Sequence, residues 1–230
     1  MTIRKLLAPA FALGLLLGPG TAARADMVLS QVIVDLLPGK APREDIEIWN
    51  DGDERMYVLA EPFEIRNPGL PTEERVPVAQ AEGASLLVSP LRLVLEPGER
   101  RMIRIAAIGG RAESDRVYRV TIRPVAGTIE SEQSALKVFV GYDTLVLVRP
   151  EHVTGDVLAQ RSGRMLTLRN AGNTAQELFD GRQCDASGGD CRDLPAKRLY
   201  PGASWEVELP FDTAVSYKAS IGPTVRARQF

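Results

Sequence analysis

The sequence predicts an all-β protein made of two related β-sandwich domains. Short extended segments recur at the spacing of roughly 8–12 residues that is typical of sandwiches, with turn-forming residues between them. Two turn signals also repeat in the same order: an Asn-Asp-Gly-Asp turn at Asn50 precedes a Pro-Gly turn at Pro97, and an Asn-Ala-Gly-Asn turn at Asn170 precedes one at Pro201. No window places apolar residues at helical spacing, so no helices are expected.

The expected domain bounds follow from this repeat and from the position of a proline between the two copies. We expect residues 26–148 to form the first domain and residues 152–230 to form the second. Residues 149–151, Arg-Pro-Glu, are the expected hinge, because proline restricts the residue before it to extended conformations.

Residues 1–25 have the pattern of a cleaved signal peptide. Arg4 and Lys5 precede a short apolar run at 6–17, and an Ala-Arg-Ala sequence ends at Ala25, the expected cleavage site. A membrane anchor is the alternative, but the apolar run is too short to span a bilayer and is interrupted by Pro9. We therefore expect an exported chain without membrane insertion.

The charge balance of the mature chain excludes several partners. Removal of the signal peptide takes away three of the 28 basic residues and none of the 30 acidic ones, which leaves a net charge near −5. The mature chain also has no basic run. Neither nucleic acid nor an anionic membrane surface is therefore expected as a partner.

The first domain is predicted to consist of short strands, because apolar residues alternate with polar ones between turns. The predicted strands cover 28–36, 45–49, 56–64, 86–88, 91–95, 101–107 and 117–122.

Residues 134–150 form the segment with the least usual pattern. Leu136, Val138, Val140 and Tyr142 fall on alternate positions and would line one face of a strand, whereas residues 145–148 are a continuous apolar run. A strand that is apolar on both faces is either buried on both sides or directed toward a partner that the sequence does not contain. The residues alone leave both interpretations open.

The two cysteines, Cys184 and Cys191, are separated by six polar or small residues. An even count and close spacing in an exported chain favour a disulfide, with two free thiols as the alternative. A metal site is not expected, because the single histidine, His152, lies far from them and no Cys-x-x-Cys pair occurs.

No pattern in the sequence predicts an enzyme. His152 follows the expected hinge directly, and no Gly-x-Ser-x-Gly elbow occurs to supply an activated nucleophile. Gly109-Gly110 has no phosphate-binding pattern around it. We expect neither catalysis nor a cofactor.

Five short motifs occur along the first domain: Ser89-Pro90, Leu95-Glu96-Pro97-Gly98, Met102-Ile103-Arg104, Val117-Tyr118-Arg119-Val120 and Val148-Arg149-Pro150. Together they resemble the periplasmic chaperones of pilus assembly by the chaperone–usher pathway (PapD-like proteins), and the resemblance covers nearly the whole mature chain. It implies two immunoglobulin-like domains arranged as a boomerang, in the periplasm. An exported structural or adhesive immunoglobulin-like module without chaperone activity is the alternative.

The resemblance also implies a mechanism and partners. The last strand of the first domain would complete a pilin subunit that lacks its own final strand, and an outer-membrane usher would then receive the subunit. The pilin-binding positions of this donor strand match Leu136, Val138 and Val140, with Tyr142 after them. An extended edge of this kind supplies main-chain hydrogen bonds and side chains at period two.

Two basic residues of such chaperones usually hold the terminal carboxylate of the pilin in the cleft between the domains. The corresponding positions here are Gln31 and Leu145, and neither is basic. Arg149 and Arg92 are the nearby arginines that would have to substitute.

Arg149 also matches an arginine that joins the two domains of these chaperones by salt bridges, and Asp115 matches its first-domain partner. The second-domain acidic position falls on about Ser220, so the salt-bridge network is expected to be incomplete. These departures indicate a divergent branch, in the archaic or alternative chaperone–usher systems.

Overall fold

The computed structural model describes residues 26–83, 85–125 and 139–230, and their strands form four sheets. No described residue is helical, which confirms the predicted all-β class. Two sheets contain only strands that end by Val148, and the other two contain only strands that begin at Val157 or later. Among the described residues, no helix is long and apolar enough to cross a membrane.

The first two sheets pack into one sandwich. In chain order their strands are β1 (Met27–Leu29), β2 (Ile33–Leu36), β3 (Arg43–Asn50), β4 (Met56–Arg66), β5 (Glu74–Pro77), β6 (Leu86–Ser89), β7 (Arg92–Leu95), β8 (Arg100–Ala107), β9 (Arg116–Val125) and β10 (Tyr142–Val148). One sheet has the order β1-β3-β8-β6. The other has the order β2-β10-β9-β4-β5, with β7 also paired to β4. Their inner faces bury a single apolar core.

The remaining sheets form a second sandwich with its own core. Its strands are β11 (Val157–Ser162), β12 (Met165–Asn170), β13 (Gln176–Cys184), β14 (Cys191–Leu194), β15 (Lys197–Leu199), β16 (Ser204–Glu208), β17 (Ser216–Ile221) and β18 (Thr224–Gln229). The smaller sheet has the order β11-β12-β16. The larger has the order β14-β13-β17-β18, with β15 also paired to β13.

The prediction of one continuous strand over residues 28–36 is wrong. β1 pairs with β3, whereas β2 pairs in parallel with β10 in the opposite sheet, so the chain changes sheets between them. Ser30 holds the crossing in place, because its amide donates to the Glu47 carbonyl and its hydroxyl accepts from the Glu47 amide. The sequence prediction also missed β5 entirely.

The repeated turn signals correspond to a repeated structure. Asn50 and Asn170 are both fully buried. Each side-chain amide donates to two carbonyl oxygens, one in its own turn and one just before the following Pro-Gly turn, and each side-chain oxygen accepts from the amide two residues later. The partners are Glu54, Leu95 and Gly52 for Asn50, and Thr174, Leu199 and Gly172 for Asn170. The same buried asparagine therefore links two turns in each sandwich, which satisfies backbone groups that would otherwise be buried unpaired.

The disulfide prediction is confirmed, since Cys184 and Cys191 are bonded at directly opposite positions of β13 and β14. The turn between them is ordered by Asp185, whose carboxylate accepts hydrogen bonds from the Ser187 hydroxyl and the Gly189 amide. Hydrogen bonds from Ser187 and from the turn amides lower the pKa of Asp185. Because the closed loop is short, the disulfide stabilises the domain by only about 2 kcal/mol.

Candidate functional site

β10 explains the two-sided apolar pattern of its sequence. Val146 and Val148 point into the core of the first sandwich. Leu145 and Leu147 point from the opposite face and pack in a separate cluster with Ile65, Val117 and Tyr200. Tyr200 belongs to the second sandwich, so this half of β10 is buried between the first core and the other domain.

The start of β10 has a different environment. Val140, two positions before Tyr142, is 61% exposed. On one side β10 pairs with β9 along its whole length, but on the other side β2 covers it only from Leu145 onward. Among the described strands, none pairs with the second edge of residues 142–144. Leu136 and Val138, the other two expected donor residues, lie outside the described residues.

Tyr142 lies at the boundary between these two environments. Its ring packs against the core of the first sandwich, and its hydroxyl donates to the Met27 carbonyl oxygen at 3.0 Å. Tyr142 therefore fastens the start of β10 to β1 of the facing sheet.

The predicted cleft residues lie at different depths. Gln31 is partly exposed in the connection between β1 and β2. Leu145 is only 3% exposed, and its side chain belongs to the interdomain cluster. Arg119 lies directly opposite Leu145 on β9, so this face of the sheet carries its positive charge on the neighbouring strand.

The arginines of this face already have a carboxylate partner in Asp143. Arg75 contacts both of its oxygens, at 2.7 and 3.1 Å, and Arg119 donates to its backbone carbonyl. Burial alone would raise the pKa of Asp143, but the hydrogen bonds from Arg75 and Thr121 outweigh it and leave the pKa below its usual range. Asp143 therefore stays ionised and balances part of the positive charge.

Arg149, at the end of β10, is buried in a dense polar network between the two sandwiches. Its guanidinium binds both oxygens of Asp35, at 2.7 and 2.8 Å, and one oxygen of Asp115 at 3.1 Å. It also donates to the Thr174 hydroxyl and to the Ala175 carbonyl of the second sandwich. The second sandwich thus contributes a hydroxyl and a carbonyl, and no carboxylate, to the contacts of Arg149.

Asp115 is the most deeply buried carboxylate of this network, with a side chain that is 0% exposed. It accepts hydrogen bonds from the Thr174 hydroxyl at 2.8 Å and the Ala175 amide at 2.6 Å, besides its contact with Arg149. Burial raises the pKa of Asp115 above its usual range, against the opposing effect of Arg149. Burial would lower the pKa of Arg149, but the carboxylates raise it, so this residue remains a cation.

Sequence reasoning missed two residues that support the network around Arg149. Asp35 is the main partner of Arg149, and the only available signal was its place in the first strand of the family pattern. Arg111 donates to the carbonyl oxygens of Leu36, Leu37 and Arg149 at 2.6–2.8 Å, and no motif indicated this role. Both residues hold the end of β2 against the end of β10.

Several solved structures share the fold of this chain. No family model matches the chain, and no curated protein matches it either. Among solved structures, the class 5 fimbriae chaperone CfaA is 21% identical, with 88% of this chain and 98% of that chain covered at a TM-score of 0.64. The E. coli chaperone DraB is 20% identical, with 89% and 96% covered and a TM-score of 0.62.

A complex of the Salmonella enterica SafA pilin with the SafB chaperone also matches, at 15% identity and a TM-score of 0.64, with 91% of this chain and 98% of the matched chain covered. The likeness spans both sandwiches. It confirms, at the level of the fold, the resemblance found in the sequence. The chain therefore has the fold of the fimbrial chaperones, with two immunoglobulin-like β-sandwiches.

Proposed function

We propose that the chain is a periplasmic chaperone that binds pilin subunits by donor-strand complementation and passes them to an outer-membrane usher. The observation that carries this proposal is Val140, an exposed aliphatic residue two positions before β10, a strand whose residues 144–148 are all buried. The fold supports it, since the matched structures include a chaperone bound to a pilin and one bound to a tip subunit.

The free edge at the start of β10 suits this role. Among the described strands, none pairs with residues 142–144 on the side that β2 leaves open, although the Asp143 carbonyl already accepts a hydrogen bond from the Arg119 side chain. Leu136, Val138 and Val140 continue the alternation of Tyr142 toward the N-terminus, so they fall on one face if the strand extends. Each aliphatic side chain that enters an apolar groove supplies about 1.5–3 kcal/mol before ordering costs are subtracted.

In this proposal Tyr142, the fourth predicted donor residue, anchors the donor strand. Tyr142 is held by the core and by Met27, so it fixes where the donor row begins. Leu145 holds the two sandwiches together through the cluster around Tyr200. The residues that would enter the pilin groove are then Leu136, Val138 and Val140. Tyr142 and Leu145 anchor the part of the chain that follows them.

Co-expression with a pilin subunit tests this proposal. The variant with Leu136, Val138 and Val140 all changed to serine should fold normally but lose the subunit from the soluble periplasmic fraction. Surface pili, counted in cells that also carry the usher, should disappear in the same variant. Circular dichroism and thermal unfolding of the purified variant establish that it is folded.

Leu158→Ser is a matched control, because Leu158 is also exposed, at 58%, but lies on β11 of the second sandwich. It should leave subunit solubility unchanged. A triple variant that still protects the subunit would contradict strand donation. A triple variant that unfolds the first sandwich would instead favour the structural or adhesive module.

A further inference from the structure

β18 is the last strand of the second sandwich, and one of its two sides has no partner strand. It pairs with β17 along its whole length. The last strand of the first sandwich, β10, pairs with β9 on one side and in parallel with β2 on the other. Among the described strands, none takes the place of β2 beside β18. We call this open side of Thr224–Gln229 the β18 edge.

The hydrogen-bond pattern shows which main-chain groups point to the β18 edge. In an antiparallel ladder, opposite residues alternate between pairs that exchange two hydrogen bonds and pairs that exchange none. Val215 and Phe230 exchange both, at 2.9 Å each. Every second residue of β18 counted from Phe230 therefore bonds to β17, and the amides and carbonyls of Val225, Ala227 and Gln229 point to the open side. No group in the described part of the chain forms a hydrogen bond with them.

The side chains of β18 differ between its two faces. Val225 and Ala227 lie on the outer face of the sheet and are exposed. Arg226 and Arg228 lie on the other face, which also carries the buried Tyr217 of β17. β18 contains no acidic residue. A strand added at the β18 edge would therefore meet positive charge on one face and small apolar side chains on the other.

The two arginines of β18 differ in how fully they are used. Arg228 forms an ion pair with Asp156 and donates to the Val157 carbonyl oxygen at 3.1 Å. Arg226 is exposed and makes no hydrogen bond or ion pair within the residues that the structure describes. The charge of Arg226 is therefore available to a partner.

The same charges argue against a second copy of this chain as the partner. Two overlapping β18 strands would place arginines beside arginines, and like charges at opposite positions destabilise a sheet. Charged residues that point inward on an open edge also prevent aggregation. A strand with carboxylates on the arginine face would be attracted instead.

We propose that the β18 edge binds an extended segment of another polypeptide in which acidic and apolar residues alternate. The segment adds a strand to the larger sheet of the second sandwich. Its carboxylates lie beside the two arginines of β18, and its apolar side chains lie beside Val225 and Ala227. Main-chain hydrogen bonds supply affinity, and the alternating side chains supply specificity. This site is on a different sandwich from the proposed donor residues, and the inference does not rest on the proposed function.

Peptide binding measured by fluorescence anisotropy tests the charge preference. The probes are two fluorescein-labelled, amidated hexapeptides in which valine alternates with glutamate or with lysine. The glutamate peptide should bind roughly tenfold more tightly, because the arginines attract its side chains and repel those of the lysine peptide. Arg226→Glu should abolish this preference. Arg182→Glu is the matched control, because Arg182 is exposed on β13, an interior strand of the same sheet, and it should change nothing.

N-methylated glutamate peptides test the strand pairing. In an antiparallel addition, the peptide residues opposite Val225 and Ala227 exchange hydrogen bonds with them and lie on the same face, so they are the valines. N-methylation of the valines should therefore abolish binding, and N-methylation of the glutamates should leave it unchanged. The reverse pattern would support a parallel addition at the same edge. Loss of binding with both peptides, or with neither, would overturn the proposal.

Amide hydrogen exchange locates the bound peptide. The amides of Val225, Ala227 and Gln229 should exchange rapidly in the free chain and slowly with the glutamate peptide bound, whereas those of Arg226 and Arg228 should be protected in both. Protection elsewhere but not on β18, equal affinities for the two peptides, or no binding at about 1 mM would each overturn the proposal. Protection of these amides that appears with rising protein concentration alone would also overturn it, because a second copy would then occupy the edge.

Discussion

An arginine–aspartate cluster lies at each end of β10, and the pKa of the aspartate shifts in opposite directions in the two clusters. At the start, Asp143 meets Arg75 with 43% of its side chain exposed, and its pKa is lowered. At the end, Asp115 meets Arg149 with no exposure, and its pKa is raised. The hydrogen bonds are comparable in number, so the depth of burial decides the sign. The exposed cluster is a surface feature, whereas the buried one holds the two sandwiches together.

The largest expected effect comes from removing the cation at each end. Arg149→Met should destabilise the chain by about 3–5 kcal/mol, because it leaves Asp35 and Asp115 without a positive partner in a buried site. Arg75→Met should cost less than about 1 kcal/mol, because the carboxylate of Asp143 can be hydrated instead. Urea unfolding of both variants measures the contrast. Equal losses would mean that burial does not distinguish the two clusters.

The next largest loss of stability is expected from removing Asp115, the hydrogen-bond acceptor in the buried cluster. Asp115→Ala should cost about 2–3 kcal/mol, since the Ala175 amide, the Thr174 hydroxyl and Arg149 all lose an acceptor. Asp115→Asn should cost less than about 1 kcal/mol, because the amide oxygen still accepts from Ala175 and Arg149. Chemical denaturation distinguishes the two substitutions, and an equal loss for both would contradict this assignment of roles.

The difference in stability between the wild type and Asp115→Asn should change with pH in a direction that the pKa of Asp115 fixes. Because the folded-state pKa of Asp115 is raised, its contribution to stability is complete below the unfolded pKa of about 3.9 and is lost as the pH rises through the folded value. The wild type should therefore lose stability relative to Asp115→Asn as the pH rises from about 3.5 toward neutrality. Parallel unfolding curves across that range measure the difference, and a wild type that gains instead would reverse the sign.

A buried hydroxyl of β10 lies between the two clusters. Thr144 is buried, and its hydroxyl makes no hydrogen bond in the described part of the chain. Thr144→Val should stabilise the chain by about 1 kcal/mol, because it removes an unsatisfied group at constant shape. Thr174→Val is the matched control and should destabilise, since the Thr174 hydroxyl donates to Asp115 and accepts from Arg149. Thermal unfolding shows whether the two changes have opposite signs.

Local patterns predicted the features that depend on nearby residues. The repeated turns around Asn50 and Asn170, the disulfide between Cys184 and Cys191, and the all-β class all follow from turn chemistry, spacing and period-two alternation. These signals need only a few consecutive residues. The structure adds to the turns a reason for the asparagine, which is the pairing of buried backbone groups.

The remaining features depend on residues that are distant in sequence. Alternation records which face of a strand is buried but not which sheet the strand joins, so it could not show that the chain changes sheets at Ser30. The pairing of Asp35 with Arg149 spans 114 positions, and no local pattern marks it. Leu145 also shows this limit, because an apolar residue fits a core or a cleft equally well, and only the fold places it in the cluster against which Tyr200 of the other sandwich packs.

The smallest expected loss of stability comes from changing Asp143 at the exposed end of β10. Its dependence on pH is opposite to that of Asp115. Because the folded-state pKa of Asp143 is lowered, its contribution is present above the unfolded pKa and is lost as the pH falls through the folded value. Asp143→Asn should therefore cost at most about 0.5–1 kcal/mol at neutral pH, after allowance for solvent screening, and nothing in acid. Unfolding curves at neutral and acidic pH in low and high salt measure this loss, which salt should reduce further. A loss at neutral pH that high salt does not reduce would show that Asp143 acts by packing, and the two ends of β10 would then differ in kind as well as in depth.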